Sequence, residues 1–339
     1  MRRVPDTRQT PACHRTDSPP RLPPPTVPAM TAPPNNLYHP LRLPQSRHLP
    51  IRGLPYHLTQ WGTPQPGQPP LVMVHGFMDV GASFQFVVDA MARSGDANRC
   101  IVAPDWRGFG LTTAPAGTDA YWFADYLGDL DAIIDALSPD APVDLLGHSM
   151  GGNVVMTYAG VRPRRIRRLI NLEGFGLPDL PPADAPGRLA TWLDELKAPQ
   201  SLKPYASLAE VAERLRKNNP RLPTDKALWL AGHWSEPTAE GLWRLRADAA
   251  HKRINPVPYR AADAIATWQC ISAPLLWVQG QASRLDAHWG GRYSLAEFQQ
   301  RLAHVPDVRQ VQLADAGHML HHDQPEALAA ALEAFLAQA

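Results

Sequence analysis

In Gly147-His148-Ser149-Met150-Gly151 a serine stands between two glycines, each two residues away. The apolar run 141–146 before it reads as a buried strand, and 152–160 after it reads as a helix with an apolar face. Gly-x-Ser-x-Gly at a strand-to-helix junction is the setting of a nucleophile elbow. Such a turn leaves no room for side chains at 147 and 151, and it holds the serine at a strained backbone angle with its hydroxyl exposed. A serine hydroxyl attacks a carbonyl carbon only when a base removes its proton. The candidate base is His318, which follows Ala316-Gly317 behind an apolar run at 308–313. His321 and His322 stand beside it, and His321 is read as a structural neighbour. The three histidines raise the question of a metal, but no carboxylate or second histidine pair lies at ligand spacing, so no metal is expected. No dinucleotide fingerprint follows the first buried strand, and no cofactor is expected either.

These residues need a scaffold to bring them together. Strands are expected at 71–74, 100–103, 141–146, 168–172, 274–278 and 308–313, behind an opening hairpin of 48–51 and 54–61. Helical periodicity occupies 83–93, 121–137, 152–160, 294–303 and 325–337. Strands alternating with helices at this spacing predict an α/β fold with an eight-stranded, mostly parallel, doubly wound sheet. Sites in such sheets lie beyond the carboxyl ends of the strands. His75, Asp105, Ser149 and Glu173 all fall at such ends.

The alternation is interrupted after Phe175. Helical pieces are expected at 188–197, 208–217, 224–233 and 240–249, with no clear strand among them. The domain reading is therefore a proline-rich disordered arm at 1–40, core at 41–175, a helical cap at 176–266, and core again at 267–339. Met30 is a possible alternative start within the arm. The cap contains Trp192, Trp229, Trp234 and Trp243, so its surface over a cleft is expected to be apolar. Arg244, Arg246 and Lys252 offer a competing site for a carboxylate.

With His75-Gly76-Phe77, Asp105-Trp106-Arg107-Gly108-Phe109-Gly110, the serine pentapeptide and Gly317-His318 in this order, the chain resembles the α/β-hydrolase-fold serine hydrolases from about Leu43 onward. Within them it is similar to the esterase-like branch with a helical lid between strands six and seven. The resemblance implies Ser149 as nucleophile, His318 as base, and an oxyanion hole from the backbone N–H groups of Phe77 and Met150. It also implies that His75, Asp105 and Arg107 brace loops; for Asp79 a structural role is favoured over a catalytic one. One departure concerns the acid. Most such enzymes carry an aspartate in a Gly-x-x-Asp turn after the seventh strand, and here that turn is Gly280-Gln281-Ala282-Ser283. Others place the acid after strand six, where this chain has Glu173. Glu173 is the favoured acid and Asp286 the alternative. The implied activity is hydrolysis of a small, largely apolar carboxylic ester through an acyl-enzyme. Carbon–carbon bond hydrolysis with the same triad is the alternative, and a non-catalytic ligand-binding homologue a remoter one. Dehalogenases and epoxide hydrolases are disfavoured because their nucleophile is an aspartate.

Composition bounds the partners. The 339 residues include 33 Lys and Arg against 32 Asp and Glu, a net charge of +1. That balance predicts no bulk attraction to nucleic acid or anionic membrane. Cys13, Cys100 and Cys270 lack paired or ligand spacing, which fits a reducing, cytoplasmic setting. The N-terminal segment has no apolar core of the kind a signal peptide needs, and no run is long enough to span a membrane.

Overall fold

The computed structural model describes residues 37–95 and 98–338. The expected disordered arm lies outside them except for its last residues. Those residues are tied down: the Tyr38 hydroxyl donates to Asp89, and the Leu41 and Arg42 amides donate to the same carboxylate, both at 2.9 Å. Contact with the core thus starts at Tyr38, within the arm expected at 1–40.

Two strands open the domain, β1 (Gln45–Ile51) and β2 (Leu54–Trp61), paired antiparallel around the turn at Arg52-Gly53. After them come β3 (Leu71–Val74), α1 (Gln85–Ser94), β4 (Ile101–Pro104), α2 (Phe123–Leu137), β5 (Val143–His148), α3 (Met150–Val161) and β6 (Ile166–Leu172). The next stretch holds α4 (Ala185–Lys197), α5 (Leu208–Asn218), α6 (Thr224–Trp234), a small hairpin of β7 (Ser235–Pro237) and β8 (Trp243–Leu245), and α7 (Ala261–Trp268). The chain closes with β9 (Leu275–Gly280), α8 (Leu285–His288), α9 (Leu295–Leu302), β10 (Val308–Leu313), α10 (Leu320–Asp323) and α11 (Pro325–Leu336).

The main sheet has eight strands in the order β1-β2-β4-β3-β5-β6-β9-β10. Only β1 and β2 run antiparallel to their neighbours. β3, β4 and β5 are buried along their whole length, and β3 and β4 accordingly read as unbroken apolar runs instead of alternating ones. Helices cover both faces. Val87 and Met91 of α1 pack with Leu328, Leu332 and Phe335 of α11 on one side. Leu130, Ile133 and Ile134 of α2, Val154 and Tyr158 of α3, and Phe298 of α9 fill the other.

The segment between β6 and β9 is mainly helical, but the helix expected at 240–249 does not form. Gly241, at φ 78°, turns the chain there, and Trp243 pairs with Tyr205 through two 2.8 Å backbone hydrogen bonds. α5 and α6 bury Val211, Leu215, Leu230 and Ala231 against Val80 and Phe86 of the core. Among the described residues no helix is long and apolar enough to cross a membrane.

Candidate active site

The site is assembled at the carboxyl ends of β3, β5, β6 and β9 and in the loop after β10. At the end of β5 the chain reverses through Ser149, which sits at φ 52°, ψ −115°. Two close approaches explain its flanking glycines. A Cβ on Gly147 would lie 2.3 Å from the Gly151 carbonyl oxygen, and one on Gly151 would lie 2.4 Å from that of Val74. The strained turn is held by the Ser149 amide donating to Leu172 O at 2.8 Å and by Asn153 donating to Ser149 O at 3.0 Å. The serine hydroxyl is thereby set at the head of α3, 2.9 Å from Nε2 of His318.

Behind the histidine stands Glu173. Its Oε2 accepts from His318 Nδ1 at 3.1 Å, and its Oε1 accepts from the Gly280 amide at 2.7 Å. The Ser283 hydroxyl also donates to Oε2. Glu173 is buried while the His318 side chain is about half exposed, 49% by area, so the pair spans the wall of the cleft. The glutamate is aimed by its own turn, at φ 57°. Asn171 fixes that turn by accepting from the Gly174 amide and donating to the Gly174 carbonyl, both at 2.8 Å.

The structure thus brings Ser149, His318 and Glu173 into one hydrogen-bonded line. Asp286, weighed as the alternative acid, is not part of it: its Oδ1 accepts from the Leu295 amide at 3.0 Å, at the start of α9. The sheet supplies the reason. β6 and β9 are neighbours with Leu172 opposite Val278, so the turn after either strand reaches the same histidine, and Glu173 occupies that place. Ser283, read in sequence only as a missing aspartate, instead donates to Glu173.

The loop after β3 passes directly against Ser149, since a Cβ on Gly76 would lie 3.1 Å from that of the serine. Among the described residues no backbone acceptor takes the amide of Phe77 or of Met150. His75 braces this loop. Its Nδ1 donates to the Gly76 carbonyl at 2.7 Å, and its Nε2 accepts from the Trp106 amide at 2.9 Å. Asp105 ties the loops beneath: its carboxylate takes His57 Nδ1 and the amides of Gly81 and Leu111, all within 2.8 Å. Arg107 makes a two-armed pair with the buried Asp129.

Burial pushes His148 well below the usual imidazole range, and its closeness to His321 acts in the same direction. Burial likewise takes His321 down to about 3. His148 Nε2 donates to the His318 carbonyl at 2.8 Å, bracing the loop that carries His318.

The model of the alpha/beta hydrolase fold matches residues 69–325, three-quarters of the chain. The chain belongs to the α/β-hydrolase fold family. Over 128 residues it is 37% identical to a cis-3-alkyl-4-alkyloxetan-2-one decarboxylase of Shewanella oneidensis, covering 37% of each protein. Over 111 residues it is 35% identical to a 2-hydroxy-6-oxo-2,4-heptadienoate hydrolase of Pseudomonas putida, covering 32% of this chain and 38% of that one. These alignments span little more than a third of either relative. Among solved structures, the thioesterase domain from the curacin biosynthetic pathway superimposes with a TM-score of 0.75 at 28% identity, covering 86% of this chain and 99% of that domain. In this α/β-hydrolase the nucleophile elbow, the histidine loop and the strand-six turn all lie on one edge of the fold.

Proposed function

We propose that this α/β-hydrolase is a serine hydrolase that cleaves a small, largely apolar carboxylic ester through an acyl-enzyme. The observation that carries the reading is the unbroken line Ser149 Oγ, His318 Nε2, His318 Nδ1, Glu173 Oε2, with contacts of 2.9 and 3.1 Å. As Ser149 attacks the ester carbonyl, His318 takes its proton at Nε2 and later returns it to the leaving alcohol. Glu173 keeps the proton of the neutral ring on Nδ1 and stabilises the imidazolium. The Phe77 and Met150 amides meet the negative charge that develops on the carbonyl oxygen. Water then repeats the sequence on the acyl-enzyme.

The helical segment 176–266 is read as a cap over this cleft. Its cations support an uncharged substrate: Arg244 and Arg246 face Glu236, and Lys252 donates to the Ser201 carbonyl at 2.7 Å. Phe77, half exposed beside the serine, offers apolar surface. Similarity to the Pseudomonas dienoate hydrolase favours one second reading, in which the same triad splits a carbon–carbon bond.

The test is a fluorophosphonate probe followed by a substrate panel. The native protein should be labelled on Ser149, and Ser149→Ala should lose labelling and turnover while its melting temperature holds. Nitrophenyl esters of increasing acyl length, run beside a meta-cleavage dienoate, separate the two substrate classes. Labelling that survives Ser149→Ala would remove the proposed nucleophile.

A further inference from the structure

Beside Ser149, His318 and Glu173, three buried side chains from a loop, a strand end and a short helix converge without a part in the chemistry above. Asp79 lies in the loop after β3, His148 precedes the nucleophile, and His321 lies in α10 just beyond the base. They are 3%, 2% and 0% exposed. Their ligating atoms all lie within 4.8 Å of one another.

Each of the three has a polar atom with no hydrogen-bond partner: Asp79 Oδ2, His148 Nδ1 and His321 Nδ1. Buried atoms of this kind are costly unless something meets them. Their orientation is set from behind. The His318 carbonyl can only accept, so His148 carries its proton on Nε2, and the neutral ring presents a bare lone pair at Nδ1. A backbone carbonyl behind an imidazole is the arrangement that fixes the tautomer of metal-binding histidines. Asp79 is held in the same manner: its Oδ1 accepts from the Val80 amide at 2.8 Å and from the Trp234 indole at 3.0 Å, leaving Oδ2 toward the cluster. His321 turns Nε2 to that oxygen at 3.8 Å, too far for a hydrogen bond, and the same nitrogen lies 3.4 Å from the Ser83 hydroxyl, a long contact that a metal ion would replace.

We propose that Asp79, His148 and His321 bind one divalent transition metal ion of the zinc class. Two imidazoles and one carboxylate suit Zn²⁺ or Co²⁺, whereas Mg²⁺ and Ca²⁺ favour all-oxygen sets. Three atoms no more than 4.8 Å apart all lie within about 2.8 Å of a common centre. Zinc–ligand bonds are about 2.0–2.2 Å, so each side chain closes by less than about 1 Å. Sequence reading set a metal aside because it weighed only the histidines around His318, whereas the carboxylate and the second histidine come from loops far away in the chain. The ion would join the loop that carries Phe77, the elbow that carries Ser149 and the loop that carries His318. Its effect is therefore to stiffen the frame of the site without touching the reacting atoms.

The experiment takes the full-length protein, strips it with a chelator and titrates it with ZnCl₂ and separately with CoCl₂. The expected result is saturation at one equivalent, with the visible absorption of low-coordinate Co²⁺. A hundredfold excess over Kd should raise the melting temperature by about 5 °C. His321→Gln and Asp79→Asn should each weaken binding by about a hundredfold or more. The asparagine retains an acceptor for Val80 and Trp234, so it decides the matter if the glutamine variant fails to fold. His318→Ala should bind as the native protein does. No saturable uptake would overturn the proposal, and so would folded ligand variants that bind normally. Uptake lost in His318→Ala but kept in Asp79→Asn would place the ion on the triad and overturn it equally. None of these readouts depends on turnover, so they stand apart from the serine hydrolase reading.

Discussion

Replacing Glu173 by glutamine tests the proposed mechanism at its most specific joint. The carboxylate accepts three hydrogen bonds: Gly280 N on Oε1, and His318 Nδ1 and Ser283 Oγ on Oε2. A carboxamide of the same size cannot accept all three, because one end is now a donor. The Gly280 amide is backbone at the end of β9 and cannot turn away, so the amide oxygen stays with it. The NH₂ then faces His318 and drives the ring to the tautomer with a bare Nδ1 and a proton on Nε2. That proton points at Ser149 Oγ, 2.9 Å away, and the base is blocked. The comparable acid-to-amide change in a Ser-His-Asp triad costs about 10⁴ in kcat. Here the expected fall is between about a hundredfold and ten-thousandfold, or roughly 2.7–5.4 kcal/mol of barrier at about 1.36 kcal/mol per decade. The assay is the rate of fluorophosphonate labelling, which needs no knowledge of the natural substrate, beside nitrophenyl ester turnover. KM should change little, since the ground-state contacts of the ester do not involve residue 173. Asp286→Asn, altered at the start of α9, should behave as the native protein does. A folded Glu173→Gln protein within about threefold of native labelling would refute the reasoning, as would an equal loss in Asp286→Asn.

Two further outcomes are expected. Burial holds His321 at about 3 and His251 at about 4, below the ordinary value of about 6.5. In the window from about 6.5 down to 4 the unfolded chain therefore binds protons that the native state refuses. Stability should be full above that window and fall as pH drops, by up to about 1.4 kcal/mol per pH unit for each histidine. Urea midpoints at pH 7, 6 and 5 measure the slope, and His251→Gln should make it shallower; an unchanged slope counts against this account. If 176–266 is a cap, limited proteolysis should cut first before Tyr38 and next within that segment. A segment as resistant as the sheet would make it an integral layer instead.

The sheet was legible because its central strands are buried on both faces. Leu71–Val74 and Ile101–Pro104 have no polar residue to obscure them, and the helices between the strands show their apolar faces at regular spacing. The segment at 235–245 was not legible for the opposite reason. Its strands are three residues long, too short for any periodicity, and one of them is fixed by Tyr205, almost forty residues earlier. Pairing of that kind is decided by tertiary contact, and the sequence around 240–249 shows only a pattern that a helix would also satisfy.

The site divides along the same line. The surroundings of Ser149 could be read because an elbow is a local object: two glycines, a strand before and a helix after are all contiguous. For the acid the sequence favours Glu173, at the end of an apolar strand, over Asp286, but residue type alone does not separate two carboxylates near strand ends. The choice rests on β6 and β9 being hydrogen-bonded neighbours, and on Asn171 turning Gly174 so that residue 173 points across the sheet edge. The Asp79–His148–His321 cluster lies at the far limit of this scale. Its members are 69 and 173 residues apart (148 − 79 and 321 − 148), and no local spacing rule connects them. What connects them is the arrangement that also builds the triad: strands whose carboxyl ends meet on one edge must bring their next few residues together as well. In this fold the second layer of side chains behind a catalytic site is drawn from the same loops as the first. The buried polar atoms left over there are the place to look for binding chemistry that motifs do not reveal.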